Sequence, residues 1–212
     1  MLKVNEIFFS IQGESTHAGR PCVFVRLTGC NLRCTYCDTE YAFYEGREMS
    51  LENILEQVKS YGCQWVEVTG GEPLMQAEVH DLMRRLVDGG YRVMLETGGS
   101  LDLSRVPPEV IKIVDFKTPG SGMESKNRWE IVDQLQPHDE IKFVVGDRLD
   151  FDWAVAKMRE HRLSTGHTVL FSPSFGKLSP QDLADWVMQE VPEARLQLQL
   201  HKLIWDPNLR GV

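Results

Sequence analysis

The sequence has no apolar run approaching the roughly 20 residues that span a bilayer, so no membrane-embedded role is expected. It also lacks a surplus of positive charge. Its 23 Lys and Arg stand against 31 Asp and Glu, a formal net charge of −8. Without an excess to neutralise phosphates, general nucleic-acid binding is not expected, and small molecules are the better class of partner. The start, Met1-Leu2-Lys3-Val4-Asn5-Glu6, carries an acid where a secretory leader has a long apolar stretch, so the expected location is cytoplasmic. No linker, low-complexity tract or repeat divides the chain, and a single domain over 1–212 is expected. An even set of cysteines is missing too. Cys22, Cys30, Cys34, Cys37 and Cys63 do not suggest a disulfide framework, and three of the five crowd into one short segment.

What is present is an alternation of short β-branched runs with helical patterns. Strands are expected at Cys22–Leu27, Trp65–Thr69, Arg92–Glu96, Ile111–Phe116, Glu140–Val145 and Thr168–Phe171, with a last strand or extended segment at Arg195–Leu200. Ser50 is placed to cap a helix running to about Tyr61, with Leu51, Ile54, Leu55 and Val58 on one face. Further helices are expected from about Ala77 to Val87, Phe151 to His161 and Ser179 to Glu190. Near-continuous apolar strands separated by helices imply a parallel α/β sheet that curls into a barrel or a twisted open sheet. Ligands then sit at the C-terminal ends of the strands. The segments there are rich in Gly, Thr, Ser and charge, as in Thr28-Gly29-Cys30, Thr69-Gly70-Gly71-Glu72, Glu96-Thr97-Gly98, Asp115-Phe116-Lys117 and Ser172-Pro173-Ser174.

The segment Gly29-Cys30-Asn31-Leu32-Arg33-Cys34-Thr35-Tyr36-Cys37-Asp38-Thr39 follows the first expected strand. Its CxxxCxxC spacing can bring three thiolates to three corners of a cubane. A 4Fe–4S cluster usually has four cysteine ligands, so three leave one iron open to a small molecule. The alternative is a zinc knot completed by Cys22, Cys63 or one of six histidines. Cys22 lies inside a strand and reads as a small core hydrophobe, and Cys63 reads as structural.

Cysteines at this spacing, in a loop after the first strand of a parallel α/β chain, resemble the radical S-adenosylmethionine superfamily. Gly70-Gly71-Glu72-Pro73, after the second expected strand, resembles the superfamily's turn that approaches the cofactor's methionyl amine. The resemblance implies a radical SAM domain folded as a partial (β/α)6 TIM-like barrel, a 4Fe–4S cluster on Cys30, Cys34 and Cys37, and S-adenosylmethionine chelated at the open iron. Cleavage of that cofactor would give a 5′-deoxyadenosyl radical. On the cofactor side the resemblance implies Tyr36, Cys37, Asp38, Gly71 and Glu72. It extends more loosely to Asp115, Lys117, Ser172 and Pro173, where Asp115-Phe116 replaces the Ser-Pro that precedes the lysine in other members.

Within the superfamily the N-terminal block, Ile11-Gln12-Gly13-Glu14 and then Arg26-Leu27-Thr28-Gly29-Cys30-Asn31-Leu32, with Cys37-Asp38-Thr39, closely resembles the 7-carboxy-7-deazaguanine synthase family. The C-terminal His201-Lys202-Leu203-Ile204-Trp205 is similar as well. Members convert 6-carboxy-5,6,7,8-tetrahydropterin to 7-carboxy-7-deazaguanine, in queuosine biosynthesis, by hydrogen abstraction at C6, ring contraction and loss of ammonia. The resemblance implies Ile11, Gln12, Gly13, Glu14, Arg26, Thr69 and His201 at the pterin, with Arg26 forking onto its carboxylate. It implies Thr39 as a magnesium (Mg2+) ligand, an electron donor such as flavodoxin or ferredoxin, and a homodimer. Without the resemblance, Thr39 is a loop residue bonding its own backbone, Arg26 is a strand-end surface arginine, and Glu14 faces solvent. Two other functions compete: an activating enzyme that takes hydrogen from a glycine of a partner protein, and a non-enzymatic cluster or zinc module.

Overall fold

Short β-branched runs form the strands, and their two faces are chemically different. A computed structural model describes residues 1–212. In chain order the strands are β1 (Leu2–Ile11), β2 (Pro21–Leu27), β3 (Arg47–Met49), β4 (Trp65–Gly70), β5 (Arg92–Thr97), β6 (Ile111–Phe116), β7 (Glu140–Val145), β8 (Thr168–Pro173) and β9 (Arg195–Leu196). The helices are α1 (Leu51–Ser60), α2 (Val79–Asp88), α3 (Arg148–Glu160), α4 (Pro180–Glu190) and α5 (Leu200–Ile204). All strands share one sheet ordered β3-β1-β2-β4-β5-β6-β7-β8-β9. From β2 onward every pairing is parallel, whereas β1 runs antiparallel to both β2 and β3. The order does not close on itself, so this is a partial barrel, as the α/β reading anticipates. No helix is long and apolar enough to cross a membrane.

Side chains alternate across each strand. One set, including Val23, Val25, Val66, Val68, Val93, Leu95, Val114, Ile141, Phe143, Val169 and Phe171, forms the main core with α2 residues Leu82, Met83 and Leu86 and α3 residues Phe151, Ala154 and Met158. Each such side chain contributes about 1.5–3 kcal/mol when fully buried. The other set points into the barrel. Its lower layer is apolar, with Cys22, Phe24, Met94 and Ile113 packed together. Its upper layer is charged and builds the site described below. Cys22 is therefore a core residue, and Cys63 Sγ rests on the carbonyl of Pro21 at 3.3 Å.

The helix starts follow their caps. Ser50 accepts from Asn53 N at 3.2 Å, Asp147 from Asp150 N at 2.9 Å and Ser179 from Asp182 N at 3.5 Å. The crossovers β5–β6 and β6–β7 contain no α-helix, as the sequence reading has it, only loops and short 3₁₀ turns in the second. Three features depart from that reading. The long strand β1 is not anticipated, because a register shift between Val4 and Glu6 breaks its apolar alternation. Nor are the short elements β3 and α5. The expected last strand, Arg195–Leu200, pairs only at Arg195 and Leu196. Beyond it Gln197 and Gln199 turn inward to Glu14, and Leu200 N donates to Gly13 O at 2.9 Å where α5 begins.

Candidate active site

A cavity of about 880 Å³ opens at the C-terminal ends of the parallel strands and is walled by the upper inner layer. Arg26 comes from β2, Glu67 and Thr69 from β4, Glu96 from β5, Asp115 from β6, Lys142 from β7 and Ser172 from β8. Register places Arg26 beside Thr69 and Asp115 beside Lys142. Burying an ion costs several kcal/mol even after relaxation. A layer of buried charge is therefore a functional feature and not a stabilising one.

Cys30, Cys34 and Cys37 line the same cavity. None is in a disulfide. Burial pushes all three thiols up, and Cys34 feels both of the others. Three thiols on one cavity wall suit a cubane, in which each cysteine meets a different iron. The loop is clamped on several sides. Thr35 N donates to Ser121 O at 3.0 Å and Thr35 Oγ1 to Gly120 O at 2.6 Å. Asn31 Nδ2 reaches Ser100 Oγ at 3.0 Å.

The Gly70-Gly71-Glu72-Pro73 turn packs directly on this loop. A Cβ on Gly71 would collide with Gly29 O and Cys30 Cβ, and Glu72 N donates to Gly29 O at 2.8 Å. Gly71 lines the cavity; Glu72 lies behind it. The Glu72 carboxylate is spent on Thr97 Oγ1 (2.9 Å), Gly98 N (2.8 Å) and Leu74 N (3.1 Å), so it holds two strand-end turns together. Tyr36 and Asp38 face the cavity beside the cysteines. Lys117 Nζ pairs with Asp115 Oδ2 at 3.0 Å, while Asp115 Oδ1 is buried with no partner. An unpartnered carboxylate oxygen on a cavity wall fits a ligand that donates hydrogen bonds. Ser172 lines the main cavity, whereas Pro173 lines a smaller groove behind it.

On the opposite wall Arg26 Nε is bound by Glu6 Oε1 at 2.8 Å, and Tyr41 donates to the same oxygen at 2.9 Å. Arg26 thus faces the cavity and not bulk solvent. Its anchored Nε leaves both Nη groups for a planar carboxylate. Thr39 also lines the cavity, and its hydroxyl donates to Asp38 Oδ1 at 2.8 Å. Lys202 from α5 in turn pairs with Asp38. Ile11, Gln12, Gly13 and Glu14 form an adjacent wall, with Thr69 and His201. The Gln12 amide is largely committed within the protein: Nε2 donates to Glu67, and Oε1 accepts from Glu14 N at 3.1 Å. Glu14 is not solvent-facing. It pairs with Lys142 at 2.7 Å and accepts from Gln197 (3.1 Å) and Gln199 (2.8 Å). His201 packs on Gly13 so closely that a Cβ there would collide with its ring, and burial lowers its pKa.

Sequence reasoning missed Lys142 and Glu67, and reached Glu96 only as part of a strand-end segment. Their signal was present, since each is a charge inside an apolar strand. Burial and then repulsion from Glu96 push Glu67 up to about 8. The C-terminal residues Pro207 to Val212 also line the cavity, and Arg210 stacks over Tyr41 at 3.7 Å.

The family model described as the Radical SAM superfamily matches residues 24–115, a span holding the cysteine triad, the Gly-Gly-Glu-Pro turn and Asp115. The 7-carboxy-7-deazaguanine synthase of Koribacter versatilis is 47% identical over 100% of both chains. The chain belongs to the 7-carboxy-7-deazaguanine synthase family. The synthase of that name from Chlorobaculum tepidum is 43% identical over 100% of this chain and 97% of its own. Membership in the radical SAM superfamily brings with it S-adenosylmethionine and a 4Fe–4S cluster, for which the three thiols and the backbone-packed Gly71 turn are a fitting set. Among solved structures, QueE from Escherichia coli aligns with a TM-score of 0.76 over 94% of each chain at 23% identity. TYW1 with a lysine–pyruvate adduct bound aligns at 0.60 over 82% of this chain and 74% of its own, at 12% identity. Those two likenesses establish the partial-barrel fold of this synthase-family member.

Proposed function

We propose that residues 1–212 act as one catalytic domain that converts 6-carboxy-5,6,7,8-tetrahydropterin to 7-carboxy-7-deazaguanine. The observation that carries this reading is Arg26, a cavity arginine whose Nε is anchored by Glu6 and whose free fork faces the same space as the cysteine triad. When bound, the reduced cluster and S-adenosylmethionine supply hydrogen abstraction from an unactivated carbon.

This chain's residues position and shield. Arg26 holds the substrate carboxylate through its two Nη groups. Glu14 accepts an N–H from the ring, while Ile11, Gln12, Gly13, Thr69 and His201 shape the wall around it. Asp115 Oδ1 and Lys117 face the cofactor, together with the Gly71 backbone, Tyr36, Cys37, Asp38 and Ser172. Glu72 and Pro173 act one step behind, through the turns they brace. Thr39 presents a hydroxyl oxygen beside the Asp38 carboxylate, an oxygen set that suits magnesium, which takes few protein ligands and completes its shell with substrate and water. A flavodoxin or ferredoxin delivers the electron, the protein works as a homodimer, and it resides in the cytoplasm. Anaerobic incubation with the pterin, S-adenosylmethionine and reductant should yield 7-carboxy-7-deazaguanine and ammonia by mass analysis. Absence of that product from a cluster-loaded preparation rules the reading out.

A further inference from the structure

Lys142 is the one cation at the centre of the barrel's charged layer. It rises from the inner face of β7, its side chain is 4% exposed, and it touches carboxylates from three other parts of the chain. Glu14, from the segment after β1, is 2.7 Å away; Glu96 on β5 is in direct contact; Asp115 on β6 is 3.5 Å away. An ammonium has three N–H groups; two are given to Glu14 and Glu96, and Asp115 adds an ion pair without a hydrogen bond. Most of what Lys142 offers is therefore spent on its partners.

Glu14 is the partner whose freedom is most reduced. A carboxylate has about four acceptor positions. On Glu14 Oε2 accepts from Lys142 and Gln197, and Oε1 accepts from Gln199, with Oε1 keeping one position toward the cavity. Burial alone would raise this carboxyl. Lys142 overrides burial by charge and hydrogen bond, aided by Gln199 and the nearby His201, and leaves it at about 2. The other groups around it, Glu67 on β4 and Glu96 on β5, are acids and push the opposite way. No other lysine or arginine touches Glu14.

We infer that Lys142 is a positioning residue that holds Glu14 as an anion with a single acceptor position turned to the cavity, so that the site selects a ligand donating an N–H at that point. This rests on the proposed pterin function. It adds a determinant of specificity that acts through Glu14.

The test uses cluster-loaded protein, anaerobic and without reductant, so that no turnover occurs. Binding of 6-carboxy-5,6,7,8-tetrahydropterin is measured by calorimetry between about pH 6 and pH 8. Wild type is expected to show a Kd that is flat across this range. Lys142→Met removes the only lysine or arginine that touches Glu14 and leaves burial and the neighbouring acids dominant, so Glu14 takes up a proton. Its Kd should rise about tenfold at the acid end, the loss of one charge-assisted hydrogen bond, and recover as pH rises. Lys142→Arg should restore the flat profile. In a Glu14→Gln background, Lys142→Met should change Kd by less than about twofold, because the residue it acts through is gone. The double variant also removes one of the three carboxylates that Lys142→Met strands, so its Kd against that of Glu14→Gln decides the matter if Lys142→Met alone does not fold. A Kd that Lys142→Met worsens equally with and without Glu14, or a pH-independent loss confined to cluster content and melting temperature, overturns the inference. Failure of wild type to bind the pterin at all overturns the proposed function instead.

Discussion

Arg26 and Glu6 sit opposite each other on antiparallel neighbours β2 and β1, and their Nε–Oε1 pair at 2.8 Å fixes the plane of the guanidinium. Arg26 is a strand residue held by another strand, so its fork is aimed before any ligand arrives. Arg26→Ala should raise the pterin Kd by about 10- to 100-fold, the worth of a bidentate charge-assisted pair, while iron content stays at the wild-type level. Glu6→Gln should have a smaller effect in the same direction. Calorimetry alongside iron analysis checks both, and loss of iron with Arg26→Ala would make the residue structural.

The cysteine triad makes a sharper split. Replacing Cys30, Cys34 or Cys37 by Ala should abolish the absorbance expected near 400 nm for an iron–sulfur cluster. Cys22→Ser and Cys63→Ser should keep it, because one thiol lies in the apolar core and the other on the carbonyl of Pro21. Spectra of the five anaerobic preparations decide this, and a lost chromophore in Cys63→Ser would reopen the ligand set.

Gly13 tests the contact between the N-terminal wall and α5. Gly13→Ala places a methyl group against the His201 ring. The helix should be pushed from the cavity, making the segment after Gln199 more open to limited proteolysis and weakening pterin binding. Unchanged cleavage kinetics would show that the histidine moves without cost.

Thr39→Ala should weaken magnesium stimulation of turnover. An activity-versus-magnesium curve identical to wild type would remove Thr39 as a ligand.

The acid dependence of stability should carry two opposite signatures. Glu14 is depressed to about 2, below its ordinary 4.5, so its contribution is present above the unfolded pKa and is lost as pH falls through the folded one. Glu67 is raised to about 8, so between about 4.5 and 8 the folded state binds more protons than the unfolded and stability declines with rising pH. Glu67→Gln should flatten that decline in melting temperature measured against pH. A slope as steep as wild type would mean that Glu67 is ionised in the fold.

Much of this arrangement is legible in the sequence where the physics is local. CxxxCxxC after CVFVRL, and Gly-Gly after WVEVT, announce two strand-end loops, and the fold packs Gly71 on Cys30. Ser50 announces α1 by its cap. What is not legible depends on register. The charges in WVEVT, RVMLE and EIKFVV are visible one at a time, but only the tertiary fold brings Glu96 and Glu14 into contact with Lys142, which is 128 residues from Glu14 in sequence. The bulge in β1 hides a strand whose other half pairs regularly. The tail is opaque for a different reason. Arg210 on Tyr41 and Lys202 on Asp38 are long-range contacts with no periodicity to signal them.

One cavity joins Cys30, Cys34 and Cys37 to Arg26, the arrangement on which the proposed pterin ring contraction depends. The most direct test is anaerobic turnover of 6-carboxy-5,6,7,8-tetrahydropterin with products identified by mass. The expected products are 7-carboxy-7-deazaguanine and one ammonia per substrate consumed, with S-adenosylmethionine largely regenerated. Cluster-loaded protein that cleaves S-adenosylmethionine to deoxyadenosine yet leaves the pterin intact would contradict that reading.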